Sequence, residues 1–198
     1  MKKNNFRGHL WSLLAVSGSC VALLFVGCDG ARWNLQLRVN TEQTIHLDVI
    51  GLNHFDLKDW KNILVDDYWT NTSSMRQNPG RLTFEVAGRN IKLIESESNV
   101  PGRPSDFQGA DSGTMTLLST HPIWEEWRKR SVLAVGIIGD YKVVGAGSGD
   151  RRKIIVPLVK DYWDTRDSSL RVAILQNLLQ VETPPSPKAA KIDAKYGL

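Results

Sequence analysis

The sequence predicts a mainly β chain, a single β-sandwich of about eight strands with two short helices. Three observations predict it. Short runs alternate apolar and polar residues, as half-buried strands do. One run, Val132 to Ile138, is continuously apolar and reads as a buried central strand. No long strand–helix–strand alternation is visible, which disfavours a doubly wound parallel sheet.

The elements follow in order. Trp33 to Val39 alternates, and Thr44 to Leu52 repeats the pattern with Ile45, Leu47 and Val49 on one face. Asp56 to Leu64 reads as a short helix with Asp56 as N-cap and Leu57, Trp60 and Leu64 on one side. Arg81 to Val86 and Ile91 to Glu95 form a hairpin around Ala87-Gly88-Arg89-Asn90, and a polar loop occupies Glu97 to Gly113. Thr114 to Leu118 is a strand. His121 to Arg130 reads as the second helix, with Pro122 in its first turn, acidic Glu125 and Glu126 early and basic residues late. Tyr141 to Val144 extends the central strand, Gly145 to Asp150 is a loop, and Ile154 to Val159 is a strand. Leu170 to Val181 fits strand or helix and reads better as strand. The tail 183–198, opening TPPSPK, has the composition of a disordered or extended segment.

The first 28 residues have a different character. Lys2, Lys3 and Arg7 precede an apolar stretch from Leu10 to Cys28, and no Asp or Glu occurs before Asp29. This is the layout of a secretory signal. A retained membrane anchor is the other reading, and the ending Leu24-Phe25-Val26-Gly27-Cys28 favours cleavage between Gly27 and Cys28. That ending resembles the lipobox of bacterial lipoproteins, with Phe25 where leucine is usual; Cys20 fits less well because it interrupts the apolar run. The resemblance implies a signal peptide over 1–27, acyl chains of the palmitate type on Cys28, a lipidated tether over 28–32 and a sandwich domain over 33–182. Two or three acyl chains, at roughly 0.8 kcal/mol per buried CH₂, anchor a protein stably where one does not. Asp29 resembles the inner-membrane retention signal of enteric lipoproteins.

Removing residues 1–27 takes three basic residues and no acidic one, so 25 basic against 21 acidic becomes 22 against 21. The nearly neutral remainder gives no support for nucleic-acid binding. Cys28 is then the one cysteine left, which excludes disulfides, Cys-ligated zinc and thiol catalysis. The short tether holds the domain within roughly 15 Å of the bilayer, at about 3.5 Å per extended residue.

Candidate chemistry is sparse. His46 and Asp48 share a strand face and with His54 or His121 could form a metal site, but a solvated strand face is the better reading and no metal or other cofactor is expected. Gly145 to Asp150 lacks the third glycine of a dinucleotide loop and the lysine of a P-loop, so it reads as a hairpin tip. No G-x-S-x-G, H-E-x-x-H or S-x-x-K occurs after the signal, and Glu125 with Glu126 or Asp66 with Asp67 are adjacent rather than opposed, so no enzyme is expected. Asp150-Arg151-Arg152-Lys153 either grips an acidic partner or forms a solvated strand entrance. An internal echo joins Val65 to Trp69, followed by Ser73 to Arg76, with Val159 to Trp163, followed by Ser168 to Arg171; upstream, Ile45 to Gly51 resembles Leu133 to Gly139. It is either an ancient duplication or two aromatic clusters closing strands.

The order of a short helix with Trp124 and Trp127, the apolar strand Val132 to Ile138, a glycine-rich loop, Asp150-Arg151-Arg152, Val156-Pro157-Leu158 and Trp163 resembles poorly characterised bacterial lipoproteins, and the plan of lipobox, short tether and single sandwich resembles the type VI secretion lipoprotein. That resemblance implies a transthyretin-like or immunoglobulin-like sandwich facing the periplasm, tethered through acylated Cys28, and a non-enzymatic role in binding an envelope protein within a secretion complex. Trp69, Trp163, Arg151 and Arg152 are the candidate contacts. The rival expectation is a small-ligand or glycan-binding lipoprotein that stacks its ligand on Trp69 and Trp163.

Overall fold

A computed structural model describes residues 33–198 apart from 71, 97–106, 110–111, 143–149 and 167. The signal segment, Cys28, the tether, most of the 97–113 loop and the glycine-rich loop lie outside the described residues.

The fold is a β-sandwich. In chain order the strands are β1 (Asn34–Asn40), β2 (Thr44–Leu52), β3 (Arg81–Ala87), β4 (Asn90–Ser96), β5 (Phe107–Gln108), β6 (Thr114–Leu117), β7 (Ala134–Gly139), β8 (Lys153–Pro157), β9 (Ser169–Leu175) and β10 (Leu179–Val181). One five-stranded sheet has the order β10-β9-β1-β6-β5 and the other β4-β3-β2-β7-β8. All pairings are antiparallel except β1 with β9, which run parallel in register from Asn34 opposite Ser169 to Asn40 opposite Leu175.

The alternation read from the sequence sets the main core. Leu35 and Leu37 of β1, Ile45, Leu47 and Val49 of β2, Leu82, Phe84 and Val86 of β3, and Leu170, Val172 and Ile174 of β9 all turn between the sheets. The segment 170–181 is strand, folded as the β9–β10 hairpin.

The second sheet is covered on its outer face as well. Helices α1 (His54–Asn62) and α2 (Val65–Tyr68) lie over it, and Leu57, Trp60, Val65 and Tyr68 pack on Ile50, Leu52, Ala134 and Ile138. This explains the continuous apolar run of β7, whose two faces both meet protein. Gly136 seats the indole of Trp60 there: a Cβ at that position would come within 2.7 Å of the ring.

Several expectations are corrected. The N-cap of α1 is Asn53, whose side chain accepts from the Phe55 and Asp56 N–H groups; Asp56 is the reciprocal carboxylate of a capping box, accepting from Asn53 N. Asp48 does not lie on a solvated face, because α2 covers it. Tyr141 lies beyond β7, which ends at Gly139. The expected two helices, found as α1 and α3 (Ile123–Lys129), are joined by α2 and by α4 (Ala189–Tyr196).

Helix α4 lies in the tail expected to be disordered. Trp163 and Pro185 form an isolated bridge, Ser186 N donates to Tyr162 O over 2.7 Å, and Gly197, with φ of 65°, closes the helix in the left-handed conformation that glycine favours. Prolines that rule out regular structure locally still allow an extended segment to lie along the sandwich.

The echo does not correspond to repeated halves. Its upstream segments are β2 and β7, neighbours in one sheet. Downstream, Val65–Tyr68 is helical whereas residues 159–163 form a turn closed by Tyr162 N donating to Val159 O.

Candidate functional site

Strand register divides the connections between two ends of the sandwich. Trp33 marks one end. There its indole Nε1 donates to Leu158 O, Leu158 N donates to Leu133 O, and Leu133 N donates to Leu52 O, which leads into the Asn53 cap of α1. Helix α3 plugs this end with Ile123 and Trp127, and Trp127 Nε1 donates to Gly80 O over 2.9 Å.

The opposite end gathers the β1–β2, β3–β4 and β9–β10 turns, the Gly113 approach to β6, and the connection between β7 and β8. Three of these connections are tied together. Gln176 Oε1 accepts from Thr41 Oγ1 and from Glu42 N, each at 3.2 Å, and Thr41 Oγ1 in turn accepts from Gln43 N. Val39 N donates to Gly113 O over 2.7 Å. Gly88, at φ of 60°, turns β3 into β4 where a side chain would be strained. Together they form a shallow cleft of about 580 Å³ lined by residues 39–42, 88–89 and 175–176, with Glu42, Arg89 and Gln176 exposed.

The base of the β7–β8 connection is fixed by charge. Arg152 is buried and forks between two carboxylates: Nη2 lies 2.7 Å from Asp150 Oδ2 and Nη1 lies 2.7 Å from Asp66 Oδ1 of α2. The hydrogen bond from Arg152 is the main reason that the Asp150 carboxyl is held below its ordinary range. Next to it, His46 N and Nδ1 meet the two oxygens of Asp140 at 2.6 and 3.0 Å. Lys153 donates to the carbonyls of Trp60, Lys61 and Ile63, so β8 caps the C-terminal end of α1.

The four sequence-predicted contact residues therefore have different situations. Arg151 is exposed and borders β10, where its carbonyl accepts from Leu179 N. Arg152 is committed to Asp66 and Asp150. Trp163 is buried, and its Nε1 donates to Pro157 O over 2.6 Å. Trp69 is half-buried beneath the Arg76 guanidinium, 5.0 Å from the ring centroid. Trp69 packs on the outer cluster and Trp163 on the core between the sheets, so the two rings form no common platform.

The other candidates are also accounted for. His121 is buried and its Nδ1 accepts from Ile123 N. Among the described residues, no group of three His, Cys, Asp or Glu side chains is placed to hold a metal ion. The cleft residues Glu42, Arg89 and Gln176 were not singled out from sequence; they are separated along the chain, and only their turn positions hinted at them.

No family model and no curated protein matches the sequence. Among solved structures, the chain is similar to Serratia marcescens Lip, described as a membrane bound component of the Type VI Secretion System, with a TM-score of 0.44 and 11% identity over 76% of this chain and 96% of that one.

Proposed function

We propose that this chain is a lipid-anchored protein of the bacterial cell envelope that binds another protein in the periplasm, without catalysis, as an assembly component of a type VI-like secretion complex. The observation that carries the reading is the polarity of the sandwich. The five-residue tether from Cys28 enters at Trp33, while five connections converge at the opposite end. Lipid at one end presents these turns to the periplasm. The bonds of Thr41 and Glu42 to Gln176 tie the β1–β2 turn to the β9–β10 turn and support a preformed surface, which avoids ordering costs on binding. The lipobox supports the anchor, and the commitment of Trp163 and Arg152 to internal bonds weighs against ligand stacking.

The test is site-specific photocrosslinking in cells, with the crosslinker at Arg89 or Gln176 and, as a control, at Gln36 on the outer face of β1. Adducts with an envelope protein from positions 89 and 176 but not 36 are expected, and those from position 176 are expected to be lost on Glu42→Arg with Arg89→Glu. Recovery of free monomer alone from every position would sink the reading.

A further inference from the structure

We propose that the Trp33 end of the sandwich carries a second lipid contact, in which Phe55 inserts into the headgroup region of the anchoring membrane, flanked by Lys58 and Lys129 over anionic headgroups. This rests on the lipid-anchor reading above and adds to it the face that meets the bilayer.

Phe55 is the observation that needs explaining. It is 81% exposed, the most exposed large hydrophobic side chain among the described residues, in the first turn of α1. Nothing in the local fold requires a phenylalanine there: the buried face of the helix is supplied by Leu57 and Trp60, and the cap by Asn53 and Asp56. Its neighbours face outward with it. Lys58 is one turn on, exposed, and lines the same groove of about 430 Å³ between α1 and the end of α4. Lys129 is exposed at the end of α3, and the next residue, Arg130, joins that helix to the first turn of α1 through Asp56 at 3.5 Å.

The place of Phe55 is set by the tether. Three hydrogen bonds step from Trp33 through Leu158 and Leu133 to Leu52, immediately before the α1 cap. The first link crosses between the sheets, about 10 Å apart, and the next two are strand-to-strand steps of about 4.8 Å, so the start of α1 lies on the order of 20 Å from the point where the tether enters. The tether, residues 28–32, reaches at most about 17 Å fully extended. An end held so close to a bilayer, with an aromatic ring projecting from it and two ammonium groups beside it, has the composition of an interfacial contact. Acidic residues are present on this side, but Asp56 is paired with Arg130, Asp161 with Lys188 and Glu125 with Arg128, which leaves Asp59 and Asp164, among the described residues, as the exposed acids outside these ion pairs. The chemistry that fits is an anionic phospholipid surface.

The experiment uses the full acylated chain. Lipidation consumes the Cys28 thiol, so with Cys20 removed along with the signal, Phe55→Cys places one free thiol at the site and Arg89→Cys one at the far end. Each is labelled with an environment-sensitive fluorophore and reconstituted into vesicles of phosphatidylethanolamine and phosphatidylglycerol containing a doxyl-lipid quencher. Expected are a blue shift and loss of emission at position 55, neither at position 89, and loss of the position-55 signal in Lys58→Glu with Lys129→Glu. Vesicle flotation reports the anchor separately. Protein that floats but shows equal, unquenched emission at both positions overturns this contact and leaves the anchor standing. Protein that does not float overturns both. Quenching unchanged by the two glutamates overturns the anionic-headgroup assignment.

Discussion

The Tyr68 hydroxyl donates to Asp48 Oδ2 over 2.7 Å, tying the last residue of α2 to the central strand of the second sheet. Asp48 is fully buried, and its other oxygen accepts from Thr83 Oγ1 at 2.5 Å. Arg81 Nη1 and Arg76 Nε stand 3.3 and 3.7 Å from Oδ2. A buried carboxylate with two guanidiniums costs much desolvation, and removing it leaves positive charge uncompensated. Burial, then the Asp48 charge, pushes the Tyr68 phenol well above its ordinary range, so it remains a donor at every accessible pH. Asp48→Ala is expected to lower unfolding free energy by about 3–5 kcal/mol. Tyr68→Phe, which keeps the ring, is expected to cost about 1 kcal/mol. Urea unfolding of the two variants measures both, and equal costs would contradict a charge-centred network.

The Arg152 fork makes stability depend on acid. The folded Asp150 carboxyl titrates below its unfolded value because Arg152 hydrogen-bonds it. A group depressed in this way adds stability at pH above its unfolded value, about 4, and the contribution is lost as pH falls through the folded value. Asp150→Asn is therefore expected to be less stable than the parent chain at neutral pH and to converge with it as pH falls below the unfolded value and through the depressed folded one. Thermal melts across that range give the difference directly. A gap that stays constant with pH would show that the carboxylate charge is not what Arg152 needs.

How much of this was legible in the sequence depended on the length scale of the cause. Period-two alternation in Trp33 to Val39 and Thr44 to Leu52 identified strands and their inward faces, because it reports a half-buried sheet directly. Asp48 was misread because alternation cannot tell solvent from a covering helix on the polar face. Asp56 was misplaced because a capping box puts acceptors at both of its positions, Asn53 and Asp56. The tail was misread because its composition describes an isolated segment, whereas its order comes from contacts with Tyr162 and Trp163. Arg152 and Trp163 had the residue types of a binding site, but their partners, Asp66 and Pro157, are set by the fold. The cleft at the loop end was invisible for the same reason: Glu42, Arg89 and Gln176 meet only through strand register.

Trp163 and the C-terminal segment form one unit. The indole donates to Pro157 O, the neighbouring bridge holds Pro185, and Tyr162 donates to Asp193 of α4, with burial first and that bond second pushing its phenol up to about 12. Lys61 Nζ reaches Gly197 O over 2.7 Å and Leu198 packs on the outer cluster. Trp163→Ala is expected to cost about 3–5 kcal/mol, as loss of a large buried ring does. Truncation after Glu182 is expected to cost roughly 2 kcal/mol or more through the apolar surface it uncovers. If the two disturb one unit, the double variant costs less than the sum of the singles. Chemical denaturation of all three chains checks this, and strict additivity would mean that the tail docks independently of Trp163.

Cys28→Ser tests the anchor on which the proposed function depends. Serine cannot accept a diacylglyceryl group through a thioether, and in the lipoprotein route cleavage follows that modification. The variant is expected to lose metabolic labelling by palmitate and to retain residues 1–27, a shift detectable by mass. The sandwich should be untouched, because the described domain starts at Trp33 and its core uses no cysteine. Without acyl chains the contribution of roughly 0.8 kcal/mol per buried CH₂ disappears. Whatever membrane association remains comes from the uncleaved apolar segment, near the lower limit of about 18 residues needed to span a bilayer. Labelling that persists in Cys28→Ser but vanishes in Cys20→Ser would move the anchor eight residues upstream and lengthen the tether. A tether that long would release the Trp33 end from the bilayer, and the polarity that presents Glu42 and Arg89 to the periplasm would no longer be enforced by the chain.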